Sequence, residues 1–433
     1  MADSPLNAEL CDVLVIGGGP AGSTASTLLA RRGLDVVLLE KHAHPRFHIG
    51  ESLLPRNLAL FNRLGLHEAV HEIGVLKPGA EFVSDETGRS VAFDFARGID
   101  REFTYSYQVK RADFDALLFA NARDSGVRAS ENIRVSEISF PREGGRARVT
   151  ARGPGGANRV YAPGFVLDAS GRDTFLANKL RLKESDKHNS TAAVYGHFRE
   201  VECRTGELDG YITVHLTGGG WFWIIPLPSE IVSVGFVGDQ SVFKNRTGSM
   251  EDLFWERIHA SPTVSARMRC ASPVTDLVTT ANYSYFARKA SGDGFFMIGD
   301  AFAFLDPIFS SGVLFAMSSA ELGAKVAETW LQDPKAGRVL ARRAEKQIRR
   351  AMGNLSWLVY RINNPVLRDM FMAPRNTFRM RDGLVSVLAG NLEGEWRFKL
   401  PVIAFKTAFY LLSVAHRYFG YRLQRVPELE CGD

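Results

Sequence analysis

The sequence predicts an α/β protein: a doubly wound parallel body, an inserted antiparallel sheet and a helical C-terminal region. Three observations predict it. A buried strand, a glycine turn, a helix and a second buried strand follow one another from Cys11 to Lys41. Two later stretches, Asp168 to Gly171 and Gly299-Asp300, again end an apolar strand in a small turn that carries an acid. Between those two, residues 191–286 change to short alternating strands with turn signals such as Gly218-Gly-Gly, Asp239 and Asn282. Such turns converge at the carboxyl ends of the strands in a doubly wound sheet, where ligands bind.

The first stretch carries the most chemistry. Val13 to Ile16 is a continuous β-branched and aliphatic run, the pattern of a strand covered on both faces, and it stops on Gly17. A helix-forming run extends from Ala21 to Arg32, and Val36 to Leu39 reads as the next strand, ending on Glu40 and Lys41. Gly17 permits a tight turn, Gly19 lets backbone approach a pyrophosphate, and Gly22 lets helix and strand pack closely. Pro20 and Ala21 open a helix whose free N–H groups and partial positive charge suit phosphate. Glu40 follows at roughly the spacing, about 20 residues, of an acid that holds a ribose hydroxyl.

Further along, the pattern predicts a helix over Leu53–Leu64 and strands over Val75–Val83 and Arg89–Phe93, joined by a turn at Asp85 to Gly88. Tyr105–Val109 reads as a strand and Arg111–Ala122 as an amphipathic helix. Strands follow over Arg134–Ile138, Ala147–Ala151 and Arg159–Leu167, with a Gly153–Gly156 hairpin turn. In the inserted segment one helix is expected near Met250–Ile258. After the strand Phe295–Ile298, a long helix is expected from Gly312 to Trp330, with helical patterns on to Tyr360. The expected domains are therefore 1–190 plus 287–350, discontinuous and carrying a small strand insertion near 75–109; 191–286, the sheet; and 351–433, helical.

Composition narrows the class. Of 433 residues, 45% are apolar and 23% charged, as in ordinary globular proteins of two or three domains. The net charge of +5 comes without a basic run interleaved with stacking aromatics, so nucleic acid is not an expected partner. Cys11, Cys203, Cys270 and Cys431 lie too far apart for a zinc or disulfide framework. No leader pattern is read in the polar start, and a reducing cytoplasm is expected. Leu400 to Val414 is apolar but interrupted by Lys406 and short for a span of about 20 residues. It is expected to pack on the protein as an amphipathic helix, without membrane contact.

Two more stretches give the family. Trp221-Phe-Trp-Ile-Ile-Pro226 has the form WxWxIP, and Phe304 to Gly312 has the form FxxPxxSxG. With the glycine turn, Arg46 to Pro55 (RFHIGESLLP) and Lys77, the chain from about Asp12 to Tyr360 resembles the flavin-dependent halogenases of the phenol and pyrrole type. Those enzymes fall within the para-hydroxybenzoate hydroxylase-like FAD monooxygenases. The resemblance implies a Rossmann-type FAD-binding domain. Its cofactor would be held by Gly17, Gly19, Pro20, Ala21, Gly22, Glu40, Lys41, Arg46, Glu51, Ser52, Arg111, Asp168, Gly299, Asp300, Pro307, Gly312 and Val313. It implies FADH2 supplied by a separate flavin reductase, and chloride or bromide held at the Ser311 and Gly312 amides. It assigns catalytic roles to Lys77, Trp221, Trp223 and Ser310. The tryptophans would keep organic substrate away from the flavin, and hypohalous acid would cross to Lys77, so a passage must join the amine to the flavin cavity.

Halogenases of free tryptophan carry a glutamate where this chain has Phe309, which implies an electron-rich phenol or pyrrole, free or on an acyl or peptidyl carrier protein. Arg338, Arg342, Arg343, Lys346, Arg349 and Arg350 could dock such an acidic carrier, although a solvated helix face is the simpler reading. His67-Glu-Ala-Val-His71 matches the HExxH pattern, but it sits in a short polar segment cut off by Gly74, and no metal is expected. The runner-up activities are a hydroxylase or a geranylgeranyl-reductase-like flavin oxidoreductase.

Overall fold

The computed structural model describes residues 8–141, 145–185, 191–281, 284–362, 364–374, 376–391 and 396–419; Asn282 and Cys431 lie outside them. The first half of the chain runs through β1 (Glu9–Ile16), α1 (Pro20–Ala30), β2 (Val36–Leu39), α2 (Asn57–Leu64), α3 (His67–Glu72), β3 (Gly74–Lys77), β4 (Gly79–Ser84), β5 (Ser90–Asp94), β6 (Ser106–Val109) and α4 (Arg111–Asp124). Then come β7 (Arg128–Ser130), β8 (Asn158–Asp168), β9 (Thr191–Arg199), β10 (Ile212–Thr217), β11 (Gly220–Leu227) and β12 (Ile231–Asp239). The longer helices α5 (Met250–His259), α6 (Gly312–Gln332), α7 (Pro334–Val359) and α8 (Trp396–Phe419) follow, with β13 (Phe295–Met297) ahead of α6, shorter helices at Pro365–Met372 and Met380–Leu388 ahead of α8, and further strands at Arg134–Ser139 and Arg148–Arg152 ahead of β8.

The parallel body has the strand order β13-β8-β1-β2-β7, every neighbouring pair parallel. Val13, Leu14, Val15 and Leu38 are fully buried, as strands covered on both faces require. Helix α1 packs between β1, α4 and α6. At its start an added Cβ on Gly22 would lie 1.8 Å from the Gly17 carbonyl oxygen, so this strand and helix can approach only through glycine.

The second sheet departs from the expected one in two ways. Its order is Ser272–Pro273, β9, β12, β11, β10, β4, β5, so it draws two strands from outside 191–286. The contact that joins them, β10 to β4, is parallel, which makes the sheet mixed. The single strand expected over Val75–Val83 is also two. Pro78 has no N–H to continue a ladder. Accordingly β3 pairs with β6 on one side of it, and β4 pairs with β5 and β10 on the other. Lys77 therefore sits where two sheets part company. The inserted segment holds short helices at Gln240–Lys244 and Pro262–Arg267 besides α5, whose N-terminus carries a Ser249–Asp252 capping box.

One face of the mixed sheet packs on the C-terminal helices, in a core that includes Phe82, Trp221, Trp223, Phe309, Phe371, Leu384 and Phe409. Helix α8 is longer than expected, at 24 residues. Phe398, Phe405 and Phe409 are buried, while Leu400, Ile403, Leu411, Val414 and Tyr418 are more than half exposed. By length and composition Phe398–Tyr418 is long and apolar enough to cross a membrane, with a mean hydropathy of 1.4 and 22% of that window buried.

Candidate active site

The carboxyl ends of β1, β2 and β8 and the N-terminus of α6 open onto one cavity of about 430 Å³, within the range of cofactor and ligand sites. Its floor is the glycine turn. Gly17 has φ +101°, and a Cβ there would sit 2.4 Å from the Ala169 carbonyl oxygen. At Gly19 the nearest atom to an added Cβ is Arg46 Nη2 at 3.8 Å, so backbone faces open space beneath a guanidinium. Gly312, which opens α6, has nothing within 4 Å of that position. Two glycine backbones exposed to a cavity at two helix N-termini form a cradle for an anionic, elongated group. The residues present therefore fit FAD: Gly19 and Arg46 would hold its phosphates, and the helix end at Gly312 would offer further N–H donors.

The carboxylates differ in what they do. Glu40 accepts from Gly18 N–H at 2.7 Å and from His42 N–H at 2.9 Å, with Arg46 Nη2 at 3.9 Å. It ties the end of β2 to the glycine turn and still faces the cavity. Asp300 also faces the cavity. Burial pushes its carboxyl up to about 6, against the opposing pull of Arg172 and Arg111. Asp168 does not line the cavity and is a correction to the expected set. It is fully buried and accepts from Ser170 N–H at 2.9 Å and Leu176 N–H at 2.7 Å, so it shapes the turn whose Ala169, Ser170 and Gly171 do line it.

Pro20, Ala21, Lys41, Arg46, Glu51, Ser52, Arg111, Pro307, Ser310, Gly312 and Val313 all line the cavity; Gly22, Gly299 and Ser311 do not. Ser311 is buried behind Ser310, which takes a left-handed conformation at φ 56°. Of the two amides expected to hold halide, only that of Gly312 belongs to a lining residue. Arg111 is less free than expected, because Nε and Nη2 form a bidentate pair with Asp115 at 2.8 and 3.0 Å and Nη1 donates to the Ile49 carbonyl at 2.7 Å. That pairing keeps the buried guanidinium charged.

Trp221, Trp223 and Ile225 alternate along β11 onto one face and form an apolar wall of the cavity. The two indoles are 5.8 Å apart between ring centroids, and Trp223 Nε1 donates to Ser233 Oγ at 3.1 Å. Phe309 lies outside the cavity and packs its ring on Phe82 and Phe371.

Lys77 is 1% exposed and is not among the cavity's lining residues. Its Nζ donates to the Leu53 carbonyl at 2.8 Å and lies 5.3 Å from the centroid of the Phe95 ring. No carboxylate pairs with it among the described residues. Desolvation alone brings its pKa down to about 7, so the amine is partly neutral at physiological pH. The residue preceding Leu53, Ser52, lines the cavity, so one residue of chain separates amine and cavity wall.

Among the cavity residues that sequence reasoning left unassigned, His48 and Arg172 stand out. His48 is held neutral, its pKa brought down to about 4 by burial first and the Arg111 charge second, with Nδ1 2.8 Å from the Ile49 carbonyl oxygen. Arg172 comes from the turn after β8 and lies over the Phe304 ring. His48 lies within the RFHIGESLLP stretch that carries the resemblance, whereas Arg172 has no local pattern that would single it out. The HExxH histidines are engaged elsewhere: His67 contacts Asn62 and Tyr105 at 2.7 and 3.1 Å, and His71 contacts the Tyr107 hydroxyl at 3.3 Å. On α7, Arg338 pairs with Asp293 and Arg349 with Glu345; Arg338, Arg342, Arg343, Lys346 and Arg350 are exposed, and Arg349 is half-buried.

Comparison with known proteins agrees with this geometry. The model of the FAD binding domain family matches residues 10–346. The tryptophan 2-halogenase of Chondromyces crocatus is 38% identical over 72% of this chain, which spans 60% of that relative's length. The 1H-pyrrole-2-carbonyl-(peptidyl-carrier protein) chlorinase of Pseudomonas fluorescens is 31% identical over 72% of this chain and 74% of its own. A flavoprotein/dehydrogenase from Cytophaga hutchinsonii superposes with a TM-score of 0.85 at 29% identity, covering 94% of this chain and 100% of that one. A glycine-floored cavity that fits FAD, a tryptophan wall and a sequestered lysine accompany these matches, and the chain belongs to the FAD-binding domain family and, within it, to the flavin-dependent halogenases.

Proposed function

We propose that the protein halogenates an electron-rich aromatic ring, a phenol or pyrrole, free or on a carrier protein. It takes FADH2 from a separate flavin reductase. Reduced FAD, when bound, supplies two electrons, so that FADH2, O2, halide and a proton become FAD, hypohalous acid and water. The chain's own residues do the rest. Gly17 to Ala21, Glu40, Arg46 and the Gly312 helix end hold the cofactor, the Gly312 amide offers a donor to chloride or bromide, and Trp221 and Trp223 shut out the organic substrate. Lys77 receives hypohalous acid and directs it to the ring, where Ar–H and HOX give Ar–X and water.

The observation that carries this reading is Lys77. A fully buried amine without a carboxylate partner is costly to a fold, and its site beside a flavin cavity gives the cost a purpose. The aromatic packing of Phe309 favours a ring that needs no carboxylate to activate it. The decisive assay supplies FADH2, oxygen and bromide with a phenol, a pyrrole and tryptophan, and reads product mass. Lys77→Ala should lose halogenated product by about 10² or more while flavin reoxidation continues. A gain of one oxygen in place of halogen would identify a hydroxylase instead. The similarity to a flavoprotein/dehydrogenase keeps substrate reduction as the second outcome to be scored.

A further inference from the structure

Helix α8 has two apolar sides, and the fold uses one of them. Phe398, Pro401, Phe405 and Phe409, spaced by three or four residues, are buried, and the helix packs on Pro365–Met372 and Met380–Leu388. At about 3.6 residues per turn the opposite side carries Leu400, Ile403, Thr407, Leu411, Val414 and Tyr418. All six are exposed, Leu411 at 67% and Tyr418 at 71%, and Thr407 alone interrupts an otherwise apolar and aromatic row. A helix on the outside of a globular protein normally turns polar and charged residues outward. This one presents an apolar ridge that, at about 1.5 Å per residue, runs about 27 Å from Leu400 to Tyr418.

What flanks the ridge is basic. The sequence of α8 contains neither Asp nor Glu, and exposed Arg417 stands near its C-terminal end. Along one side of the helix, Lys406 Nζ donates to Asn354 Oδ1 at 3.4 Å and lies 5.2 Å from the Trp357 ring centroid, while Trp357 Nε1 donates to the Tyr410 hydroxyl at 2.9 Å. Asn354 and Trp357 stand on the same stripe of α7 as Arg343, Lys346 and Arg350, each three or four residues from the next. That stripe meets α8 at one end and continues away from it as exposed cations. Among the described residues, no ion pair engages Arg342, Arg343, Lys346 or Arg350.

We propose that this face docks the protein on an anionic membrane surface, with α8 lying in the plane of the interface and the α7 stripe on lipid phosphates. Apolar side chains enter the acyl boundary there, rings with a polar edge such as Trp357, Tyr410 and Tyr418 settle at headgroup level, and Lys and Arg meet the phosphates. The helix lies on the bilayer instead of crossing it, because Phe398, Phe405 and Phe409 are committed to the protein. Charge selects this occupant over the others. A second copy would set the same cations against these, and an acidic carrier protein would answer the basic stripe but leave the apolar ridge in water. The inference goes beyond the halogenation proposed above and does not depend on it.

Flotation of the full FAD-loaded chain with lipid vesicles tests it without any turnover. The wild type should float with vesicles of phosphatidylcholine and phosphatidylglycerol at 3:1, and bind vesicles of phosphatidylcholine alone at least about tenfold more weakly. Each cation near an anionic surface is worth about fivefold in affinity, so Arg343→Glu with Arg350→Glu should weaken binding to the mixed vesicles at least about 20-fold. Leu411→Glu with Val414→Glu should weaken it at least about tenfold through lost apolar burial. All four positions are exposed, so both variants should keep their bound flavin, and two independent pairs guard against one failing to fold. A wild type that ignores the mixed vesicles, or binding that either folded variant leaves unchanged, overturns the proposal. A lipid-free dimer in sedimentation velocity that Leu411→Glu with Val414→Glu dissociates assigns the ridge to a second copy and overturns it as well.

Discussion

Replacing Lys77 by methionine should make the protein more stable and inactive at once. The side chains are similar in length, and methionine fills the same buried volume without a charge. The Lys77 ammonium titrates at about 7 in the folded chain against 10.5 when solvated, with desolvation the cause. Between those two values the unfolded chain holds a proton that the folded chain has released, so stability rises with pH across that window and levels off on either side. The gap from about 7 to 10.5, at about 1.4 kcal/mol per pH unit, comes to about 5 kcal/mol withheld from the native state at pH 7. Losing the bond to the Leu53 carbonyl returns about 1–2 kcal/mol of that. Lys77→Met should therefore gain about 3 kcal/mol at pH 7. The gain should shrink steadily through pH 9 and vanish or reverse near pH 10.5. Urea unfolding of both proteins at matched pH values reads this directly as a shift in midpoint at constant slope. A variant no more stable than wild type at pH 7, or a gap that does not narrow as pH rises, would refute the claim that the amine is held dry.

The glycines make a paired prediction. Gly22→Ala puts a Cβ 1.8 Å from the Gly17 carbonyl oxygen and should cost about 3 kcal/mol or more, visible as poor folding with or without cofactor. Gly19→Ala meets nothing closer than 3.8 Å, so the fold should survive with its Tm within about 2 °C, while FAD affinity by fluorescence titration falls because the methyl group occupies the cradle. Glu40→Gln turns an amide NH2 toward either Gly18 N–H or His42 N–H; losing a charged acceptor there should weaken FAD binding by about 10- to 100-fold.

The sequence by itself determined the parts whose causes are local. The strand, glycine turn and helix from Cys11 to Lys41 are specified by residues a few positions apart, and the contact Gly22 makes is with Gly17, five residues away. The alternation of Trp221 and Trp223 likewise put both indoles on one strand face before any partner was known. Long-range pairing decided the rest. An acid at a strand end reads the same at Asp168 and Asp300. Only the packed turn shows that the first is consumed by the amides of Ser170 and Leu176 while the second faces the cavity. The sequence read as one strand across Pro78, and only the assembled sheets show that β4 and β5 leave the parallel body for the mixed sheet. Most of all, nothing near Lys77 in the chain says that it is buried. Its surroundings come from Leu53, Phe95 and Ser106, between 18 and 29 residues away, and the missing charge partner that lowers its pKa is a property of that assembled neighbourhood. Periodicity records which face a residue takes; burial and hydrogen bonding depend on what the fold brings against that face.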